Sequence, residues 1–240
     1  MKTVIITGAT RGLGLALAKQ ARVDGYRVLA VGRTITDGLE TLIMDNPDAV
    51  IFERFDLSAL DQIHSFATDL VRRYGRPWAL VNNAALGHDG VLATQHERDI
   101  SNLIRINIEA PILLTKYMLR PMLIERDGRI INIASIIAYT GFSGLSVYAA
   151  TKAAMIGFTR SLAREVGKGG ITVNAVAPGY MQTDMTSALG GEKLASIRRR
   201  SPLGRLAEPA DVARAVSYLL SSDAGNVTGT TLTVDAGSTA

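Results

Sequence analysis

The sequence predicts an α/β protein in which a parallel sheet carries helices on both faces, and three observations predict it. Short β-branched runs alternate with longer helical patterns from one end of the chain to the other, as successive βαβ units require. Runs such as Val4-Ile5-Ile6 and Ile130-Ile131 are continuously apolar rather than alternating, the mark of strands buried on both sides. The 240 residues, 47% hydrophobic and 20% charged, suffice for one packed domain over 1–240, with no linker or repeat to divide it.

Taken in order, the strands are expected at Thr3–Thr7, Arg27–Val31, Val50–Phe55, Trp78–Asn82, Arg129–Ala134, Thr172–Ala177 and Thr231–Val234. Helical patterns fill the gaps at Gly12–Asp24, Leu39–Asp45, Ala59–Tyr74, Glu97–Arg126, Val147–Gly167, Thr183–Arg199 and Pro209–Ser221. The sum is a doubly wound sheet of about seven parallel strands. Such sheets bind ligands at the carboxyl ends of their strands, near the point where the strand order reverses, so the residues just after each strand are where chemistry is expected.

Composition narrows the function. Zero cysteines exclude disulfides, thiolate metal sites and cysteine nucleophiles, and the three histidines, His64, His88 and His96, form no metal-binding motif with nearby carboxylates, so no metal is expected. The net charge of +4 comes from 26 basic and 22 acidic residues that are interspersed. Arg198-Arg199-Arg200 is the one basic run, with no aromatic-studded basic stripe, which argues against nucleic-acid binding. No apolar stretch reaches membrane-spanning length and no secretory pattern follows Lys2, so the expected compartment is the cytoplasm.

The first strand runs into Thr7-Gly8-Ala9-Thr10-Arg11-Gly12-Leu13-Gly14 and then a helix. Glycines let the chain turn tightly and bring backbone amides close to a phosphate, and the helix N-terminus adds unpaired N–H groups and positive dipole. A strand, glycine turn and helix in this order point to a dinucleotide site. After the second strand comes Gly32-Arg33-Thr34, with no carboxylate until Asp37. Arg33 and Arg11 together favour a 2′-phosphate and hence NADP(H), although either alone would pass for a solvated surface charge.

Tyr148 and Lys152 are four apart in a helical pattern and share one face. A phenol with a reference pKa near 10 needs a neighbouring ammonium to favour its ionised form, and Lys152 is placed to supply it. Ser135 follows the fifth strand, where its hydroxyl can bond a substrate oxygen or the phenol. Asn107, a polar amide between Ile106 and Ile108, is a candidate anchor for water leading to Lys152, or else a satisfied core amide.

The glycine spacing of Gly8, Gly12 and Gly14, followed by Asn107, Ser135 and the Tyr148/Lys152 pair, resembles the short-chain dehydrogenase/reductase family over essentially the whole chain. The resemblance implies a Rossmann-type fold and a catalytic Asn107, Ser135, Tyr148 and Lys152, with Lys152 also binding the nicotinamide ribose and the pro-S hydride transferred. It implies that Asp56 and Leu57 lie where the adenine ring is held, against the competing reading of Asp56 or Ser58 as a helix cap. Asn82-Asn83-Ala84 is similar to the family's Asn-Asn-Ala-Gly segment, with Ala85 in place of glycine. Pro178, Gly179, Met181 and Thr183 correspond to the segment facing the nicotinamide and pyrophosphate.

Within the family, Thr10-Arg11-Gly12, Asp127-Gly128-Arg129-Ile130, Ser161 to Val166 and Thr183-Asp184-Met185-Thr186 are most similar to 3-oxoacyl-acyl-carrier-protein reductases. The expected substrate is a small-molecule or acyl-thioester carbonyl, with an acyl carrier protein as candidate partner. Arg126 fits one carrier-facing cation, while Gly169 replaces another and leaves Lys168 beside it. A sugar, polyol or steroid dehydrogenase working oxidatively is one alternative, and a catalytically silent dinucleotide sensor is another, against which the joint presence of Ser135, Tyr148 and Lys152 argues. The resemblance also implies a homotetramer, and helices 97–126 and 147–167 are the expected interface because the second is apolar nearly all round.

Overall fold

The computed structural model describes residues 1–87, 89–181 and 198–240. Its strands are β1 (Thr3–Thr7), β2 (Arg27–Gly32), β3 (Val50–Arg54), β4 (Ala79–Asn82), β5 (Gly128–Ile133), β6 (Ile171–Pro178) and β7 (Thr231–Val234). All pair in parallel in the order β3-β2-β1-β4-β5-β6-β7. The order reverses between β1 and β4, so the crevice at their carboxyl ends is the switch point of a doubly wound, Rossmann-type sheet.

The helices are α1 (Gly12–Val23), α2 (Asp37–Asp45), α3 (Ile63–Tyr74), α4 (Glu97–Ile104), α5 (Ala110–Glu125), α6 (Ile137–Thr140), α7 (Ser146–Val166) and α8 (Pro209–Leu220). Successive strand residues point to opposite faces, and both faces are covered. Val4, Ile6, Val28, Ala30, Val81 and Ile131 pack with Leu17, Ala18, Ala21, Leu39, Val212 and Val216 on one side. Ile5, Leu29, Leu80, Ile130 and Val173 pack with Ile63, Leu70, Leu114, Met118, Leu162 and Val166 on the other. This two-sided burial is why the strands read as unbroken apolar runs. α8 starts sharply because Pro209 occupies its first turn and the Glu208 amide donates to the Asp211 carboxylate at 3.0 Å.

Three expectations need correcting. The helix expected over 97–126 is broken into α4 and α5 by a π-helical turn, Arg105–Glu109, which periodicity cannot distinguish from ordinary helix. The helix expected at 59–74 opens with a 3₁₀ turn at Leu60–Gln62. The short α6 was not anticipated, because four residues carry no period. The helix expected at Thr183–Arg199 falls almost entirely outside the described residues. No helix among the described residues is long and apolar enough to cross a membrane.

Candidate active site

At the switch point β1 turns into α1 through a backbone arrangement that only glycine permits. Gly8 adopts φ +65°, and a Cβ there would lie 2.9 Å from Ala84 Cα. A Cβ on Gly14 would lie 1.9 Å from the Gly8 carbonyl oxygen, a backbone atom that cannot yield. Gly12 also has positive φ, +52°, but faces open space. The Asn83 side chain donates to Thr7 O at 2.9 Å and Gly8 O at 3.2 Å, and Thr7 Oγ1 accepts the Asn83 and Ala84 amides, each at 3.0 Å. The turn is thus fixed to the end of β4 from both sides. Leu13 packs its side chain toward the core, leaving its backbone at the turn. Thr10 is locked beneath Gly32, where a Cβ would meet Thr10 Cγ2 at 2.5 Å.

α1 begins at Arg11 with no side-chain cap and no acidic residue in its first turn. Its first amides are therefore available to an anion, which the helix dipole also favours. Arg11 and Arg33 are exposed, and neither side chain makes a hydrogen bond or ion pair with a described residue. A glycine cradle with free amides and two unengaged cations fits a phosphorylated dinucleotide. The Asp56 carboxyl lies below the ordinary range because it accepts the Ser58 amide at 2.9 Å, with Arg33 adding to the effect. Asp56 therefore caps its own turn. The Leu57 side chain is buried in the core, so a ligand passing there would meet backbone.

The acid–base candidates lie one strand pair along. Lys152 on α7 is buried, with 4% exposure, and its Nζ donates to Ile133 O at 2.8 Å, two residues before Ser135. Its Nζ lies 5.6 Å from the centroid of the Tyr148 ring. Burial pulls the Lys152 ammonium down to about 8. Burial, with a smaller contribution from Tyr180, pushes the Tyr148 phenol up to about 12. The expectation that Lys152 draws the phenol down is not met in this structure, because desolvation outweighs an ammonium turned toward a backbone carbonyl. Ser135 Oγ accepts the Ile137 amide at 3.3 Å and is otherwise open.

Asn107 sits in the π turn and is buried. Its Oδ1 accepts the Leu86 amide at 2.8 Å, while its Nδ2 donates to Leu86 O at 2.9 Å and Thr151 Oγ1 at 3.1 Å. Thr151 Oγ1 in turn donates to Tyr148 O at 2.7 Å. Both amide protons are engaged by protein, as in a satisfied core amide, and the residue ties the loop after β4 to the Tyr148 turn of α7.

At the end of β6, the Gly179 amide donates to Val234 O at 2.9 Å, and a Cβ on Gly179 would meet Asp235 Cα at 2.7 Å. Pro178 O accepts the Ile136 amide at 3.0 Å, which brings this segment beside Ser135. Met181 forms a parallel bridge with Ala207 and packs on the core. Thr183 and His88 lie outside the described residues. Ala85 keeps negative φ, so its replacement of the usual glycine brings no left-handed strain.

A crevice of glycines at the switch point, a buried lysine beside a tyrosine and a serine at the next strand end is a known combination. The profile of the family described as Enoyl-(Acyl carrier protein) reductase matches residues 8–239. The chain is 38% identical over 238 residues to the 3-oxoacyl-[acyl-carrier-protein] reductase FabG of Haemophilus influenzae, covering 98% of this chain and 97% of that protein. The chain belongs to the short-chain dehydrogenase/reductase family. The same-named reductase of Vibrio cholerae is 37% identical over 238 residues, covering 98% of this chain and 96% of its own. A gluconate 5-dehydrogenase from Burkholderia cenocepacia, solved in complex with NADP and tartrate, superposes with a TM-score of 0.94 at 28% identity, covering 99% of this chain and 95% of that one. As a short-chain dehydrogenase/reductase the protein is an oxidoreductase.

Sequence reasoning missed two residues of this site. Thr151 lies inside the Tyr-x-x-x-Lys segment and was visible, but its partner Asn107 is 44 residues away. Tyr180 directly follows Pro178-Gly179, a signal that was at hand.

Proposed function

We propose that the protein reduces a carbonyl to a secondary alcohol with NADPH, and that its substrate is a 3-oxoacyl thioester. The observation that carries the reading is Lys152, buried and hydrogen-bonded to Ile133 O at 2.8 Å beside Tyr148: burying an ammonium is costly and is retained at sites of chemistry. Bound nicotinamide supplies the hydride. Ser135 and Tyr148 hold the substrate oxygen, and Tyr148 gives it a proton. The Tyr148 phenol is protonated at neutral pH and so is available as the proton donor of a reduction. Lys152 binds the ribose, and Asn107 positions Tyr148 through Thr151.

Arg11 and Arg33 take the 2′-phosphate, Gly8, Thr10, Gly12, Leu13 and Gly14 cradle the pyrophosphate, and Asp56, Leu57, Asn83, Ala84, Pro178, Gly179, Met181 and Thr183 complete the cofactor site. NADP in the Burkholderia enzyme supports this cofactor. The FabG relatives support the thioester. An acyl carrier protein would meet Arg126 and Lys168. Arg126 Nη2 donates to Lys168 O at 3.0 Å, which holds the two cations together beside Gly169. The likeness to a gluconate 5-dehydrogenase carries a second reading, oxidation of a polyol or sugar acid. The proposed compartment is the cytoplasm. The proposed assembly is a homotetramer, because Ala150, Ala153 and Gly157 leave one face of α7 exposed and small. Initial rates with acetoacetyl thioester and gluconate, each with both cofactors, test the reading: fast NADPH-dependent reduction of the thioester is expected, and activity on gluconate alone would replace it by the second.

A further inference from the structure

Three loops meet above Tyr148. The Gly90 amide donates to Gly144 O at 2.9 Å, joining the loop after β4 to the loop before α7, and the Ile136 amide joins the latter to Pro178 O at 3.0 Å. Where they meet, Phe142 and Tyr180 pack edge to face, with centroids 6.1 Å apart and planes at 63°. Phe142 is 47% exposed and Tyr180 is half-buried, so the pair stands at the mouth of the site. The Tyr180 hydroxyl has no hydrogen-bond partner among the described residues. It lies near enough to Tyr148 to oppose that phenol's ionisation, and its own proton affinity is raised by burial and by the Asp89 carboxylate.

The reaction uses Ser135 and Tyr148 on the oxygen of the reacting carbonyl. Tyr180 presents a second phenol O–H beside that space, its ring held by Phe142 and its hydroxyl without a partner among the described residues. When substrate displaces water, such a group requires an acceptor or becomes an unsatisfied donor. A simple ketone has one oxygen, already taken. A 3-oxo ester or thioester has a second. Asp89 beside Tyr180 disfavours an anionic partner, so the second oxygen is uncharged.

We propose that Tyr180 is a specificity-determining residue whose O–H donates to a second, uncharged oxygen of the substrate, so that the site selects 3-oxo esters and thioesters over simple ketones. The proposal rests on the carbonyl-reductase reading of Ser135 and Tyr148. Its test is Tyr180→Phe, which keeps the ring and its contact with Phe142 and removes only the hydroxyl. Steady-state rates would be measured with NADPH on ethyl acetoacetate and on 2-heptanone, two seven-atom chains that share the ketone and differ in the ester carbonyl and its ether oxygen. The expected result is a loss in kcat/KM for the ketoester, carried mainly by KM, about 3- to 10-fold greater than any change for 2-heptanone, which shares whatever Tyr180 does to Tyr148. NADPH affinity, read from nicotinamide fluorescence, is expected to equal that of the wild type and reports an intact fold. Equal losses on both substrates, or no loss on either, would overturn the role of Tyr180 alone. A wild-type protein that reduces neither would overturn it together with the reading beneath it.

Discussion

Lys152 holds a positive charge where the fold opposes one. Its ordinary value is 10.5 and burial lowers it to about 8, so between those values the unfolded chain carries a proton that the folded chain does not. Stability therefore rises with pH across that window, and the cost of burial is felt in full below it. Lys152→Met removes the cost at every pH. Its stability relative to wild type, from urea midpoints without added cofactor, should fall by about 3 kcal/mol between pH 8 and 10.5. A difference that stays flat with pH would show that the ammonium is not desolvated. In the same window NADPH affinity of the wild type should weaken as Lys152 loses its proton. At the cofactor end, Arg33→Ala should weaken NADPH binding roughly 10- to 100-fold and leave NADH nearly unaffected, since only the former carries the 2′-phosphate. Equal losses for both would make Arg33 a general contact.

Two short elements set the geometry of the site, the glycine turn before α1 and the π turn between α4 and α5. Gly14→Ala places a methyl carbon 1.9 Å from a carbonyl oxygen, so the turn must open. The expected outcome is a cost of about 1 to 3 kcal/mol, with NADPH binding lost in titrations where the variant remains folded. Retained affinity would mean that the turn does not cradle the cofactor. The π turn earns its place by presenting Asn107 to both Leu86 and Thr151. Thr151→Val leaves an Asn107 N–H buried without an acceptor, at a cost of about 1 to 3 kcal/mol by denaturation. It should also slow turnover, because Thr151 Oγ1 is bonded to Tyr148 O at 2.7 Å. A variant with lowered stability but wild-type turnover would make the contact purely structural.

For the whole molecule, the sheet and the glycine turn at its switch point were legible because a fully buried parallel strand, such as Val4-Ile5-Ile6, leaves an unbroken apolar run, and because a tight strand-to-helix turn needs its glycines in fixed places. Gly8, Gly12 and Gly14 could be read without any contact being known. The engagement of Asn107 could not, since it depends on a π turn with the residue types of ordinary helix and on partners in a distant loop. Nor could the direction of the Tyr148 shift, which is decided by how deeply loops such as that of Tyr180 bury the phenol. Light scattering at micromolar concentration should return a tetramer mass, and a monomer would leave the exposed small face of α7 unexplained. The central claim is that Tyr148 protonates a carbonyl reduced by NADPH, and its most direct measurement is turnover of Tyr148→Phe alongside its NADPH affinity. Turnover lower by 10²- to 10⁴-fold or more with affinity nearly intact is the predicted result; wild-type turnover in that variant would contradict it.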